Sequence, residues 1–305
     1  MKLKLSGLPQ SQIGLTKRDK FVLGINTILM VILFVVFLYP LLYVIISSFS
    51  ANAYEIKGLS LIPDTWSLEG YKVVFEFKEL WIGYRNSLFY SLFGCSITLF
   101  TTICCAYPLS RKDLVGRGPL LALMMFTMYF GGGLIPTFLM MRDIGLINNI
   151  WALLLPGAMS VYNMLVMRTY FMNSVPEELY EAAEIDGCGQ VRYLIKILLP
   201  LSVPVLAVIS LWTIVGEWNS YFDALIYIRK RDLYPLQLVL REVLILNYTM
   251  EDLLTMDPDE LLLLEQRQNL MRYSVIVVAS LPMLILYPFV QKYFTSGIML
   301  GAVKG

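Results

Sequence analysis

The chain has no histidine and only four cysteines among its 305 residues. Without imidazole, His-based metal centres, catalytic triads and proton relays are excluded. Cys95, Cys104, Cys105 and Cys188 form no Cys-x-x-Cys pair, and three of them lie in one apolar run, so neither a disulfide framework nor a metal site is expected. Charge is also scarce. Asp, Glu, Lys and Arg make up 15% of the residues and nearly cancel, to a net +1, which gives no reason to expect a nucleic-acid partner. No Gly-x4-Gly-Lys-Ser/Thr sequence occurs, so the chain has no phosphate loop with which to hold ATP itself. A non-catalytic protein with no cofactor of its own is expected.

What the sequence has in excess is apolar side chain, 57% of the total, more than one soluble core of this size encloses. The surplus must face lipid. A spanning helix takes roughly 20 apolar residues to cross about 30 Å of hydrocarbon. No charge falls between Lys20 and Glu55, Arg85 and Arg111, Arg117 and Arg142, Asp143 and Arg168, or Arg272 and Lys292. A further apolar run, from Ile197 to about Ile228, is interrupted only by Glu217 and Asp223, which it must hide from lipid. The expectation is an all-α, polytopic membrane protein with six transmembrane helices, near 21–49, 86–109, 119–141, 148–168, 201–228 and 273–291. The first run follows Lys17, Arg18 and Lys20 as a signal peptide would, but it is too long and lacks a small-residue cleavage site, so it is expected to remain as a helix.

These spans leave a tail at 1–20, external loops at 50–85 and 229–272, a segment at 174–200 on the other side, and a tail at 297–305. Basic residues are slightly enriched, and acids depleted, on the side that holds both tails, which places the N- and C-termini in the cytoplasm. The external loop 229–272 has apolar runs at Leu236–Leu246 and Leu261–Leu264, and amphipathic helices and a docking surface are expected there.

On the cytoplasmic side, Ser174-Val175-Pro176-Glu177 carries the capping residue, proline and early carboxylate that start a helix, and Gly187 supplies the stop. Leu179, Ala182, Ala183 and Ile185 give this short helix a modest apolar face. A second helical run passes Arg192 and Lys196 to Pro200, where the fifth span begins. From Glu181 the chain reads Glu-Ala-Ala, three residues, Gly187, nine residues, Ile197, one residue, Leu199-Pro200. This resembles, at every fixed position, the EAA loop of ABC importer permeases.

The wider resemblance covers nearly the whole chain and is to the carbohydrate-uptake branch, the maltose-type, binding-protein-dependent permeases. It is carried by Ala106-Tyr107-Pro108-Leu109-Ser110-Arg111, Gly132-Gly133-Leu134-Ile135-Pro136-Thr137, Gly145-Leu146, Pro176-Glu177-Glu178-Leu179, and the end of the chain from Gly297 to Gly305. Gly131–Gly133 and the Trp218–Ala224 segment are most similar to permeases of polysaccharide or complex oligosaccharide uptake. The resemblance implies a type I ABC importer architecture in a bacterial cytoplasmic membrane. Its implied partners are a homologous second permease, two ATPase subunits that bind ATP and magnesium, an extracytoplasmic solute-binding protein and a carbohydrate. It also implies that Glu181, Ala182, Ala183, Asp186, Gly187, Ile197, Leu199 and Pro200 couple to the ATPase, with Gly301, Lys304 and Gly305 as a second contact. The insert at 229–272 is longer than the maltose-type pattern.

The polar residues of the fifth span are read from helical geometry. On one continuous helix, Asn219, Asp223 and Tyr227 fall within about 80° of one another and Glu217 lies nearly opposite. Asn219, Asp223 and Tyr227 then suit sugar hydroxyls, Trp218 or Tyr221 suits stacking on a pyranose, and Glu217 suits a partner helix. The competing reading makes them interfacial belt residues with a solvated Asp223. Gly131–Gly133 and Pro136 either break the third helix or allow close helix packing, and small residues in membranes favour packing. Two rival functions are an ABC permease for a non-sugar solute and a secondary carrier using Glu217 and Asp223 as ion sites.

Overall fold

The structure is a computed structural model that describes residues 16–50, 63, 65–244, 257 and 270–288. The tail contact expected at Gly301, Lys304 and Gly305, and the apolar run Leu261–Leu264, lie outside the described residues.

Every described element is a helix apart from one isolated bridge between Ser50 and Trp66. α1 (Lys17–Ser47) starts inside the basic stretch, because Thr16 and Asp19 form a reciprocal capping box there. Among the described residues it stands apart from the body with its apolar length uncovered, and it touches the rest near its C-terminal end. There Ser48 and Tyr71 share a hydrogen bond of 2.7 Å and Ser274 donates to the Ser48 carbonyl at 3.1 Å.

α2 (Glu69–Glu76) is a short helix leading into α3 (Lys78–Ser110), the central element of the body. Small residues repeat every three or four positions along one face of α3: Gly83, Ser87, Ser91, Gly94, Thr98, Thr102 and Ala106. That stripe lets neighbouring helices approach closely, and its Ser, Thr and Ala members are buried.

The six expected spans are not six straight helices. Among the described residues, three helices are singly long and apolar enough to cross a membrane: α1, α3 and the last described helix, Leu270–Pro288. Two bent pairs raise the number to five. The third run splits into α4 (Arg117–Tyr129) and α5 (Leu134–Asp143), which meet at 109°. This corrects the packing reading of the glycine run. A side chain at Gly131 or Gly133 would meet nothing within 4 Å among the described residues, and Gly133, the residue before α5, adopts φ +85°, a backbone conformation that suits glycine at the bend.

The fourth run divides at Leu155–Ser160 into α6 (Trp151–Leu154) and α7 (Val161–Ser174), because Pro156-Gly157 interrupts the helix and Ser160 caps the next one. After α8 (Glu177–Ile185), α9 (Gln190–Leu201) turns by 80° into α10 (Val203–Asn219). The chain is extended at Ser220 before α11 (Phe222–Tyr227). α12 (Leu236–Leu244) falls within the expected Leu236–Leu246 run, but its apolar face is buried: Leu236, Leu238, Val239, Leu240 and Val243 are covered by the body, so that face is not a docking surface. α13 (Leu270–Pro288) closes the described chain.

The breaks persist because α3 satisfies their exposed backbone groups. Asn86 donates to the Asp232 and Tyr234 carbonyls at 2.7 and 3.0 Å, Tyr90 donates to Leu233 at 3.0 Å, and Ser87 accepts from the Leu236 N–H at 2.8 Å. Further along, Thr98 donates to the Gly157 carbonyl at 3.3 Å and Thr101 to that of Ala158. A carbonyl with no partner in a dry site costs the full desolvation of that group.

Two substitutions test this frame. Gly70→Ala would drive a methyl group into the Leu270 carbonyl and to 2.5 Å from the Ser274 hydroxyl oxygen. Overpacking of that kind is expected to cost about 1–3 kcal/mol and to lower the thermal midpoint of the protein in nanodiscs; an unchanged midpoint would refute the tight α2–α13 contact. Thr101→Val is expected to cost about 1 kcal/mol by leaving the Ala158 carbonyl short of a donor, with Thr101→Ser restoring most of it. Equal midpoints for the Val and Ser variants would remove Thr101 from the support of the break.

Candidate functional site

Two places on the chain carry functional geometry. In the first, α8 starts directly behind Pro176, and Ser174 closes α7 instead of capping α8 as its position in the sequence suggests. The proline cannot continue the preceding helix and its fixed φ suits the start of the next. At the other end Gly187 takes φ +71°, the Cys188 N–H reaches the Ala183 carbonyl at 2.8 Å and the Gly187 N–H reaches Glu184 at 2.9 Å. This paired closure is a Schellman cap, and only glycine adopts it without strain.

The faces of α8 differ from the sequence reading. Tyr180 and Ala183 are buried, whereas Leu179, Ala182 and Ile185 point away from the body with Glu178 and Glu181, and Ile185 is 86% exposed. On the buried side, the Arg111 guanidinium lies 3.3 Å from the centroid of the Tyr180 ring, a cation–π contact, and Tyr193 meets the same ring edge-on at 5.1 Å. The Gln190 side chain bridges the Tyr180 and Tyr107 hydroxyls. Burial pushes the Tyr193 hydroxyl above its ordinary range, against a smaller opposing pull from Arg111, so it stays protonated at neutral pH. Lys112 pairs with Glu177, an exposed contact worth little in stability.

The eight residues expected to couple therefore separate. Glu181, Ala182, Asp186 and Gly187 are exposed, Ala183 faces the body, Ile197 and Leu199 are half-buried against the cluster that holds Tyr180 and Tyr193, and Pro200 sits exposed just before the turn at Ser202. Arg111, Tyr107 and Gln190, which hold the helix, were not singled out as site residues. Only the Ala-Tyr-Pro-Leu-Ser-Arg stretch ending at Arg111 marked two of them.

The second place lies where the fourth run breaks. The Glu217 side chain fits a slot made by two glycines: a Cβ at Gly94 would stand 3.4 Å from the Glu217 carboxyl carbon, and one at Gly157 would stand 3.2 Å from Oε1. Beside it is a cavity of about 390 Å³ lined by Thr98, Asn163, Thr213 and the aromatic pair Tyr162 and Trp212, whose rings are 5.7 Å apart. Sequence reasoning missed Thr98, Tyr162, Asn163 and Trp212. The signal available was Pro156-Gly157 followed by Ser160, a helix stop and restart in the middle of an apolar run.

The other pathway candidates do not share a face. Because α10 ends at Asn219 and the chain is extended at Ser220, the alignment of Asn219, Asp223 and Tyr227 expected for one continuous helix is absent. Trp218 is 1% exposed, packed edge-on against Tyr84, and so is not free to stack on a sugar there. Tyr227 is buried beside Phe138, and its carbonyl accepts from Asn148 at 2.7 Å. Asp223 is half-buried in the first turn of α11. Asn219 and Tyr221 border a larger groove of about 780 Å³ between α10, α12 and α13, where Gln237 donates to Asn219 at 3.5 Å. Among the described residues no group of His, Cys, Asp and Glu has the arrangement of a metal site.

No family model matches the chain. Whole-chain relatives do. The polygalacturonan/rhamnogalacturonan transport system permease protein YtcP of Bacillus subtilis is 39% identical over 269 residues, 87% of this chain and 92% of that one. Protein LplC of the same organism is 40% identical over 268 residues, 87% of this chain and 89% of that one. The arabinooligosaccharides transport system permease protein AraQ of Halalkalibacterium halodurans is 29% identical over 88% of this chain and 91% of its own length. Among solved structures, a bacterial ABC transporter involved in import of the acidic polysaccharide alginate matches with a TM-score of 0.82 and 33% identity, covering 92% of this chain and 98% of the other. With apolar helices that cross a membrane, breaks answered by polar residues of α3, and relatives of this identity along nearly its full length, the chain belongs to the family of carbohydrate-transporting ABC permease subunits.

Proposed function

We propose that this chain forms half of the translocation pathway of an importer for an oligosaccharide or polysaccharide fragment, paired with a homologous permease and driven by two separate ATPase subunits that bind ATP and magnesium. The observation that carries this reading is the two-sidedness of α8. Its inner face is clamped to the membrane helices through Tyr180 and Ala183, while Leu179, Glu181, Ala182 and Ile185 present an apolar and acidic face that stands exposed among the described residues. A short helix of this kind suits a groove with basic residues at its rim.

In this reading the termini and α8 are cytoplasmic, and the loops 50–85 and 229–272 are external and receive solute from a binding protein. Closure of the ATPase pair moves α8, and the contact of Tyr180 with Arg111 passes the motion to α3. The spans then exchange between inward- and outward-facing packings as rigid bodies. Support for a carbohydrate cargo comes from the relatives, whose names specify polygalacturonan, rhamnogalacturonan and arabinooligosaccharides.

The test uses the assembled transporter in proteoliposomes. Gly187→Val breaks the cap at φ +71°, and Ala183→Leu overpacks the buried face of α8. Both are expected to lower ATP-dependent sugar uptake by about tenfold or more while ATP hydrolysis continues. Uptake and hydrolysis that remain coupled as in the parent would overturn the role of α8.

A further inference from the structure

The cavity beside Glu217 has a depth, a charge and a lining that the transport reading does not account for. Trp212 lies nine residues into α10, about 13 Å along it, and Tyr162 begins α7, about 18 Å from the cytoplasmic end of that helix. Measured along their helices, both lie about half a hydrocarbon thickness from those ends, whereas Trp and Tyr collect at the ends of spans. Their rings form a tilted pair at the wall of the cavity, each substantially exposed within this chain.

Glu217 adds the second observation. Its carboxylate makes no hydrogen bond among the described residues, yet Gly94 and Gly157 leave room for it alone, so the packing directs it to the cavity. A carboxylate at this depth must face water or a polar ligand, because lipid offers it nothing. Thr98, Asn163 and Thr213 supply further hydroxyl and amide groups around the same space, and no basic residue lines it. At about 390 Å³ it falls within the range of small-ligand pockets.

We propose that this cavity is a saccharide subsite selective for an uncharged pyranose unit. The apolar C–H face of the ring rests on Trp212 and Tyr162, hydroxyls of the sugar donate to Glu217, and Asn163 and Thr98 bond the remaining hydroxyls. A uronate unit is disfavoured there, since its carboxylate would meet that of Glu217 with no cation in the site to separate the charges. The solved relative imports acidic alginate, and another relative is named for polygalacturonan, also a polymer of uronates; the proposed selectivity sets the cargo of this chain apart from theirs. The inference rests on the transport reading and adds the chemistry of the cargo.

The experiment measures ATP-dependent uptake of labelled neutral oligosaccharides and of uronic-acid oligosaccharides of equal length by the full complex in proteoliposomes. The parent should favour the neutral series, and the near-isosteric Glu217→Gln should shift the ratio toward uronates by roughly tenfold. Trp212→Ala should lower neutral-sugar uptake by roughly tenfold, with Trp212→Phe recovering most of it because a ring is restored. A parent that prefers uronates, an unchanged ratio in Glu217→Gln, or normal uptake by Trp212→Ala overturns the subsite while leaving the transport reading intact. Loss of the partner permease on purification of Trp212→Ala, with a normal ratio in Glu217→Gln, shows that a partner helix fills the cavity and also overturns it. If the parent complex takes up no saccharide at all, the transport reading itself fails, and the subsite with it.

Discussion

A peptide group in hydrocarbon has no water to bond, so wherever a membrane helix is interrupted another part of the chain must supply donors and acceptors. In this protein that duty falls on α3. Thr98 and Thr101 hold the break at 157–158, and beyond the spans the same helix holds the loop backbone at 232–236 through Asn86, Ser87 and Tyr90 and reaches the carbonyl and side chain of Gln190 through Tyr107. The same face carries Gly83 and Gly94, where close approach of α12 and of Glu217 leaves little room for a side chain. Small size and polarity on one stripe thus serve two ends: they bring the broken elements near and then satisfy them.

The C-terminal end of α3 extends the same arrangement to α8. Arg111 on the Tyr180 ring and the Gln190 bridge between two tyrosines join the surface helix to the spine that also supports the break at Leu155–Ser160. A cation on an aromatic face, partly shielded from solvent, is a firmer link than the exposed Lys112–Glu177 pair beside it. Force applied to α8 therefore has a packed route into the body through Tyr180, Ala183 and Tyr193, which share one buried cluster with Tyr107, Met164 and Ile209.

The helix breaks also set the electrostatics of the interior. Glu217 could not occupy a continuous, lipid-facing helix surface at acceptable cost. The turn at Leu155–Ser160 creates the polar space beside it, and glycine at 94 and 157 keeps that space from being filled by the protein's own side chains. The groove between α10, α12 and α13 differs in kind. Asn219 and Gln237 bond each other there, and Trp218 closes its floor.

The sequence alone determined the membrane class, the all-α fold and the family, because uncharged runs measure hydrocarbon thickness and the Glu-Ala-Ala to Leu-Pro spacing is a local pattern. It also located the stop at Gly187 and the helix near Leu236, since capping glycines and apolar runs act within a few residues. Only the tertiary structure decided where the spans break, which side of α8 is buried, and which residues share a cavity. An apolar run reports how much chain lies in lipid but not whether its helix is continuous, and the groups that permit a break are remote: Thr98 and Thr101 stand 59 and 57 residues from the carbonyls they bond. Likewise Trp218 and Glu217 are neighbours in sequence, yet one is sealed against Tyr84 and the other borders a cavity, because adjacent positions on a helix point about 100° apart and meet different partners.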